Sequence, residues 1–199
     1  SCRTTAPTLP RRPTTRPSWS AWGSGNWRCV AYQRASGQPV ALTTTTLGTE
    51  VASTSGTAIT FTGIPAGTRT IAIMFVGVST NGTSEVMVQI GDSGGLEATG
   101  YTGTVGTDGG TRVAFTAGFG FTATHGATEL MHGFMTLRLG DSSDFTWVSQ
   151  STCATSGTAY TASGGGSKAL SAELDRVSIT MVNGTDAFDA GAVNIAYHS

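Results

Sequence analysis

Short runs in which apolar and polar residues alternate, cut by glycine, asparagine and aspartate, recur from Gly23 to the end of the chain. A period of two puts successive side chains on opposite faces of a strand, so the pattern predicts β-structure. The clearest run is 69–78, where Ile71, Ile73 and Phe75 take one face and Ala72, Met74 and Val76 the other. Apolar residues on both faces predict a central strand covered on both sides. Ile64-Pro65-Ala66-Gly67 just before it fits a type I turn, with proline second and glycine fourth. Asn81-Gly82 just after it is a favoured two-residue hairpin turn and leads into 85–90, with Val86, Val88 and Ile90 on one face. A hairpin is expected there.

The same reading predicts strands at 27–33, 58–62, 112–121, 130–139, 145–149, 174–182 and 193–197. In 174–182, Val177, Ile179 and Met181 alternate with Arg176, Ser178 and Thr180, the mark of a half-buried strand with a polar outer face. The glycine-rich stretches 103–110 and 163–167 read as loops. No window sustains an apolar 3.6-residue period with caps, so little helix is expected. About eight to ten strands in one domain predict an all-β fold, an antiparallel two-sheet sandwich of jelly-roll type.

Residues 1–22 break this texture. Pro7, Pro10, Pro13 and Pro17 stand among arginines and threonines, and proline removes a backbone donor and fixes φ. The segment reads as an extended arm before a β-sandwich domain of residues 23–199. Charge follows the same division: six arginines precede the first acid, Glu50, and from residue 35 onward five basic residues face all twelve acids. The arm has no lysine cluster and no interleaved aromatics, so nucleic acid is not its expected partner. Arg11, Arg12 and Arg16 are the candidates for docking it onto an acidic neighbour.

Charged residues make up only 12% of the chain, against about a quarter in an ordinary globular protein, and glycine occurs 28 times. Threonine, serine and alanine take the surface positions that lysine and glutamate usually fill. Such a surface suits assembly with copies of itself, and a homotrimer or other cyclic homo-oligomer is expected. The three cysteines, Cys2, Cys29 and Cys153, are odd in number and lack C-x-x-C spacing, which argues against a disulfide framework or a zinc site. No apolar run approaches the roughly 18 residues of a membrane span, and the first residues lack the apolar core of a signal peptide, so membrane insertion is not expected.

Gly91-Asp92-Ser93-Gly94-Gly95 spells the string around the nucleophile of chymotrypsin-like proteases. There the histidine and aspartate precede the serine, whereas His125, His132 and His198 all follow Ser93. A turn after the preceding strand is the better reading. Asp92, the pair Asp141 and Asp144, and the pair Asp186 and Asp189 lack the ligand spacing of a calcium loop. His125 and His132 differ in strand parity, so they do not form a two-histidine site on one face. Asn81-Gly82-Thr83 and Asn183-Gly184-Thr185 match the glycosylation pattern and read as hairpin turns. No catalytic residue, metal or cofactor is expected. Trp147, Tyr101 and Tyr160, in or beside polar stretches, are the candidates for stacking on receptor sugars.

Three stretches carry a family resemblance. Gly23-Ser24-Gly25-Asn26-Trp27-Arg28-Cys29-Val30 resembles the strand that precedes the C-terminal domain of bacteriophage and prophage tail-fibre proteins. Residues 61–93, FTGIPAGTRTIAIMFVGVSTNGTSEVMVQIGDS, are similar to the start of that domain, and residues 182–197, VNGTDAFDAGAVNIAY, to its closing strands. Residues 1–22 depart from the family, which places an alternating strand there. The resemblance implies a non-enzymatic, oligomeric virion protein that joins other virion proteins and adheres to a host-surface receptor such as glycan. Two other functions compete with it: a capsid decoration or head-fibre protein, and a glycan hydrolase or esterase on a β scaffold.

Overall fold

The computed structural model describes residues 18–22, 26–31, 44–127, 129–157 and 160–198. The chain divides into two compact units, Ser1–Thr43 and Thr44–Ser199. In the first, β1 (Ser18–Trp22) pairs antiparallel with β2 (Asn26–Ala31), setting Trp19 opposite Cys29 and Trp22 opposite Asn26. The last five residues of the expected arm are therefore a strand. Its prolines and Arg11, Arg12 and Arg16 lie outside the described residues.

In the second unit every described regular element is a strand: β3 (Thr45–Leu47), β4 (Val51–Ala52), β5 (Ala58–Thr62), β6 (Thr70–Thr80), β7 (Val86–Asp92), β8 (Gly95–Leu96), β9 (Thr102–Thr107), β10 (Arg112–Phe115), β11 (Phe119–Gly120), β12 (Leu130–Asp141), β13 (Thr146–Ser156), β14 (Tyr160–Ala169), β15 (Arg176–Met181) and β16 (Phe188–His198). They form two antiparallel sheets. The large one runs β10-β9-β14-β13-β12-β6-β16-β3, with β4 also on β16, and the small one runs β11-β7-β15-β5, with β8 on β7. If β3 and β4 count as one strand, then β3/β4, β5, β6, β7, β11, β12, β15 and β16 are eight strands in chain order. Numbered one to eight, they stand in the orders 1-8-3-6 and 2-7-4-5, the double Greek key of a jelly roll. Two insertions, β9 with β10 and β13 with β14, widen the large sheet beyond β12.

The core lies between the sheets, where the alternation of each strand turns its apolar side. Ile71, Ile73 and Phe75 of β6, Met135 and Leu137 of β12, and Val193 and Ile195 of β16 are buried. So are Val86, Val88 and Ile90 of β7 and Val177 and Ile179 of β15. Each such side chain contributes about 1.5–3 kcal/mol by leaving water. Phe75 stacks on Phe121 with centroids 3.8 Å apart.

Several expectations change in this frame. Strand β6 is central because β12 and β16 flank it, yet only one of its faces is covered, and Val76 is 58% exposed. The expected hairpin is absent, because β6 and β7 belong to different sheets. Asn81 instead ties two crossing loops together: its amide donates to the carbonyl of Ala187 (2.9 Å), and the amide of Ala187 donates to its Oδ1 (2.8 Å). Asn183-Gly184 likewise lies on a crossing, from β15 to β16. The proline turn runs one residue later than expected, with Thr68 N donating to Pro65 O (3.2 Å) and Gly67 at φ 82°. Positive φ at the third position of a turn is the type II requirement that glycine meets. Residues 112–121 divide into β10 and β11, which join different sheets.

The glycine-rich stretches expected as loops are mostly strands. Strand β14 lies between β13 and β9, with Gly164, Gly165 and Gly166 opposite Val105, Thr104 and Gly103. A Cβ on Gly164 would stand 2.7 Å from Val105 Cγ2, and one on Gly166 would stand 2.7 Å from Thr102 O. Glycine is used here for close approach, and ladder hydrogen bonds to both neighbours offset its entropic cost.

Candidate functional site

Tyr101 and Trp147, expected as exposed aromatics, are core residues, 3% and 2% exposed. The hydroxyl of Tyr101 accepts from Ile90 N (2.8 Å) and donates to Glu97 O (2.9 Å), and its ring meets Phe119 edge-on. Burial pushes that hydroxyl's pKa upward. Trp147 sits on the inward side of β13, and Tyr160, half-buried at the start of β14, packs against the core. Their polar neighbours Thr146, Val148-flanking Ser149 and Thr161 belong to the same alternating strands, so polarity nearby did not mean a loop. None of the three rings lies open for stacking on a sugar.

Ser93 occupies an exposed two-residue turn between β7 and β8. Asp92 before it is fully engaged: Oδ1 accepts from Gly94 N (2.7 Å) and Oδ2 from Ser171 Oγ (2.6 Å). Those bonds hold its pKa below the usual carboxylate value. The histidines are occupied elsewhere, His125 Nε2 with Thr80 Oγ1 (3.0 Å) and His132 Nδ1 accepting from Gly77 N (3.2 Å). The paired aspartates cap turns, Asp141 taking Ser143 N (2.8 Å) and Asp144 taking Thr146 N (3.0 Å). Lys168 is closed off in an ion pair with Glu97 and lies 5.7 Å from the Tyr101 ring centroid. Burial raises the Cys153 thiol to about 12, which removes it as a thiolate nucleophile at neutral pH. Among the described residues no three His, Cys, Asp or Glu side chains are grouped to hold a metal ion.

What remains open is the outer face of the large sheet. Its side chains form rows across the strands, set by the pairing register. One row reads His198, Thr70, Arg138, Val148, Ser167, Thr102 from β16 to β9; the next reads Ala196, Ala72, Thr136, Gln150, Gly165, Thr104. A third reads Asn194, Met74, Phe134, Thr152, Ser163, Gly106 and ends at Arg112 on β10. No residue in these rows is acidic. Phe134 is 51% exposed and Val148 47%, and with Thr136, Arg138 and Gln150 they line a shallow groove of about 570 Å³. Towards β10, Thr104, Gly106, Asp108, Arg112, Thr161 and Ser163 line a second hollow of about 410 Å³. Among the described residues the ion pairs are Lys168 with Glu97 and Arg176 with Asp175, so Arg138 and Arg112 carry unpaired charge. An aromatic ring, hydroxyls, an amide and two guanidinium groups are groups that bind, and in the second hollow the Thr161 hydroxyl donates to Asp108 Oδ2 (3.2 Å).

Among the described residues the exposed large aromatic is Phe134, and it was legible in principle. Leu137, Met135 and Met131 take the apolar side of β12, and parity then puts Phe134 with Thr136 and Arg138 on the polar side. Comparison with known protein families, curated proteins and solved structures finds no match to the chain.

Proposed function

We propose that the protein is a non-enzymatic structural component of a bacteriophage particle, an appendage of tail-fibre type that adheres to host-surface glycan as a homo-oligomer. The observation that carries the adhesive part is the outer face of the large sheet, where three rows across the strands hold no acid and the hydroxyls, Gln150 amide and exposed Phe134 suit sugar recognition. The particle follows from the resemblance of residues 23–30, 61–93 and 182–197 to tail-fibre sequences, with which a jelly-roll scaffold agrees. Several copies presenting the same weak face reach useful strength by avidity. Binding of the purified chain to intact host cells, before and after periodate oxidation of their glycans, tests the adhesive part. Loss of binding after oxidation is expected, and undiminished binding would sink it. Antibody labelling of purified particles tests the location: label on the tail appendage is expected, and label on the shell makes the chain a decoration protein.

A further inference from the structure

We propose that the groove between β12 and β13 binds an acidic glycan, with a sugar ring on Phe134 and a sugar carboxylate on Arg138, an inference that rests on the adhesive reading above. Phe134 and Arg138 are four residues apart on one face of β12, about 13 Å along the strand. That span suits two linked sugar units better than one ring. Thr136 lies between them and Gln150 directly opposite Thr136 on β13, placing a hydroxyl and an amide where sugar hydroxyls would pass. The exposed Phe134 ring offers an apolar platform for the C–H face of a pyranose.

Charge selects the acidic class. Among the described residues Arg138 has no carboxylate partner, and no acid shares its row, so its guanidinium stands exposed on the sheet face. The next acid along β12, Asp141, is tied to Ser143 through both N and Oγ (2.8 and 2.7 Å). Arg112 lies in the row of Phe134, four strands away, about 19 Å across the sheet. A linear glycan bearing repeated carboxylates meets both arginines, and a carboxylate takes the guanidinium fork in two parallel hydrogen bonds. A neutral glycan leaves both cations unused.

The test is calorimetric titration of the whole chain with oligogalacturonate, oligomannuronate and hyaluronate fragments, each beside its carboxyl-reduced, neutral form. At least one acidic oligosaccharide is expected to bind, more weakly as salt rises, with its neutral form bound less tightly. Arg138→Gln is expected to reduce that affinity about tenfold, the scale of one lost charge-assisted hydrogen bond. Phe134→Ala should weaken acidic and reduced forms alike, and both exposed positions leave the core untouched. Equal affinity for acidic and reduced forms, or affinity unchanged in both variants, overturns the proposal. Binding of host cells without binding of any acidic fragment overturns it while leaving the adhesive reading standing. A sedimentation result in which these variants dissociate the oligomer makes the groove a contact between copies, and overturns it too.

Discussion

His125 is the ionisable side chain whose protonation the fold opposes most directly. The residue is 5% exposed, Nε2 faces Thr80 Oγ1, and Nδ1 is buried without a partner. Burial lowers its pKa from the ordinary 6.5, although the carboxylates of Glu129, Glu85 and Asp186 pull the other way. A depressed pKa in the folded state means that the unfolded chain binds the proton more readily. The contribution to stability is therefore complete above about pH 6.5 and is lost as pH falls towards the lowered value. The 123–127 stretch should loosen first: Phe121 and Thr122 before it are held to Val86 by backbone and side-chain bonds, whereas its own ties include Ser79 Oγ to Ala127 O (3.3 Å) and Gly126 N to Glu129 Oε2 (2.9 Å). Thermal denaturation between pH 7 and pH 5 is expected to show a falling midpoint, and His125→Gln to flatten that slope. An equal slope in the variant would assign the effect to other groups.

Strand β14 shows how an element is built from residues that favour none. Gly164 faces the interior, where an added Cβ would also stand 2.9 Å from Thr104 O and 3.1 Å from Ser151 Oγ. Gly165 faces outward, where the same atom meets only Ser149 O, at 3.2 Å. Gly164→Ala is expected to cost about 1–3 kcal/mol through overpacking, and Gly165→Ala far less. Urea unfolding midpoints of the two variants check the difference, and equal midpoints would show that β14 yields freely. Composition alone could not reveal this strand, because its register comes from β13 and β9 on either side and not from its own side chains. Strands β5, β6 and β12 were legible because each carries its own apolar face. The partners of β6 and β7 were not, since Asn-Gly suits a crossing loop as well as a hairpin, and only long-range packing chooses. The same limit hid the site: Trp147 and Tyr101 were judged by polar neighbours, whereas the strand parity that buries Trp147 also exposes Phe134, and Tyr101 is buried just before β9 by its bonds to Ile90 and Glu97.

At the scale of the whole molecule, the jelly roll leaves a wide sheet face with little charge, and the adhesion proposed for it works through a weak contact from each copy. The proposed function therefore requires several copies acting together, and the sparing use of charge, 12% of residues, removes much of the desolvation cost of bringing copies into contact. A cyclic arrangement would present the faces in parallel towards one surface, and a trimer is the expected form. Sedimentation velocity of the full chain at micromolar concentration should give a single species of about three times 20.3 kDa, stable to dilution. The double variant Phe134→Ala, Arg138→Gln should keep that mass, because a face that binds glycan has to stay clear of the contacts between copies. A stable monomer at those concentrations would remove the avidity on which adhesion depends, and with it the case for an appendage that works by many weak contacts.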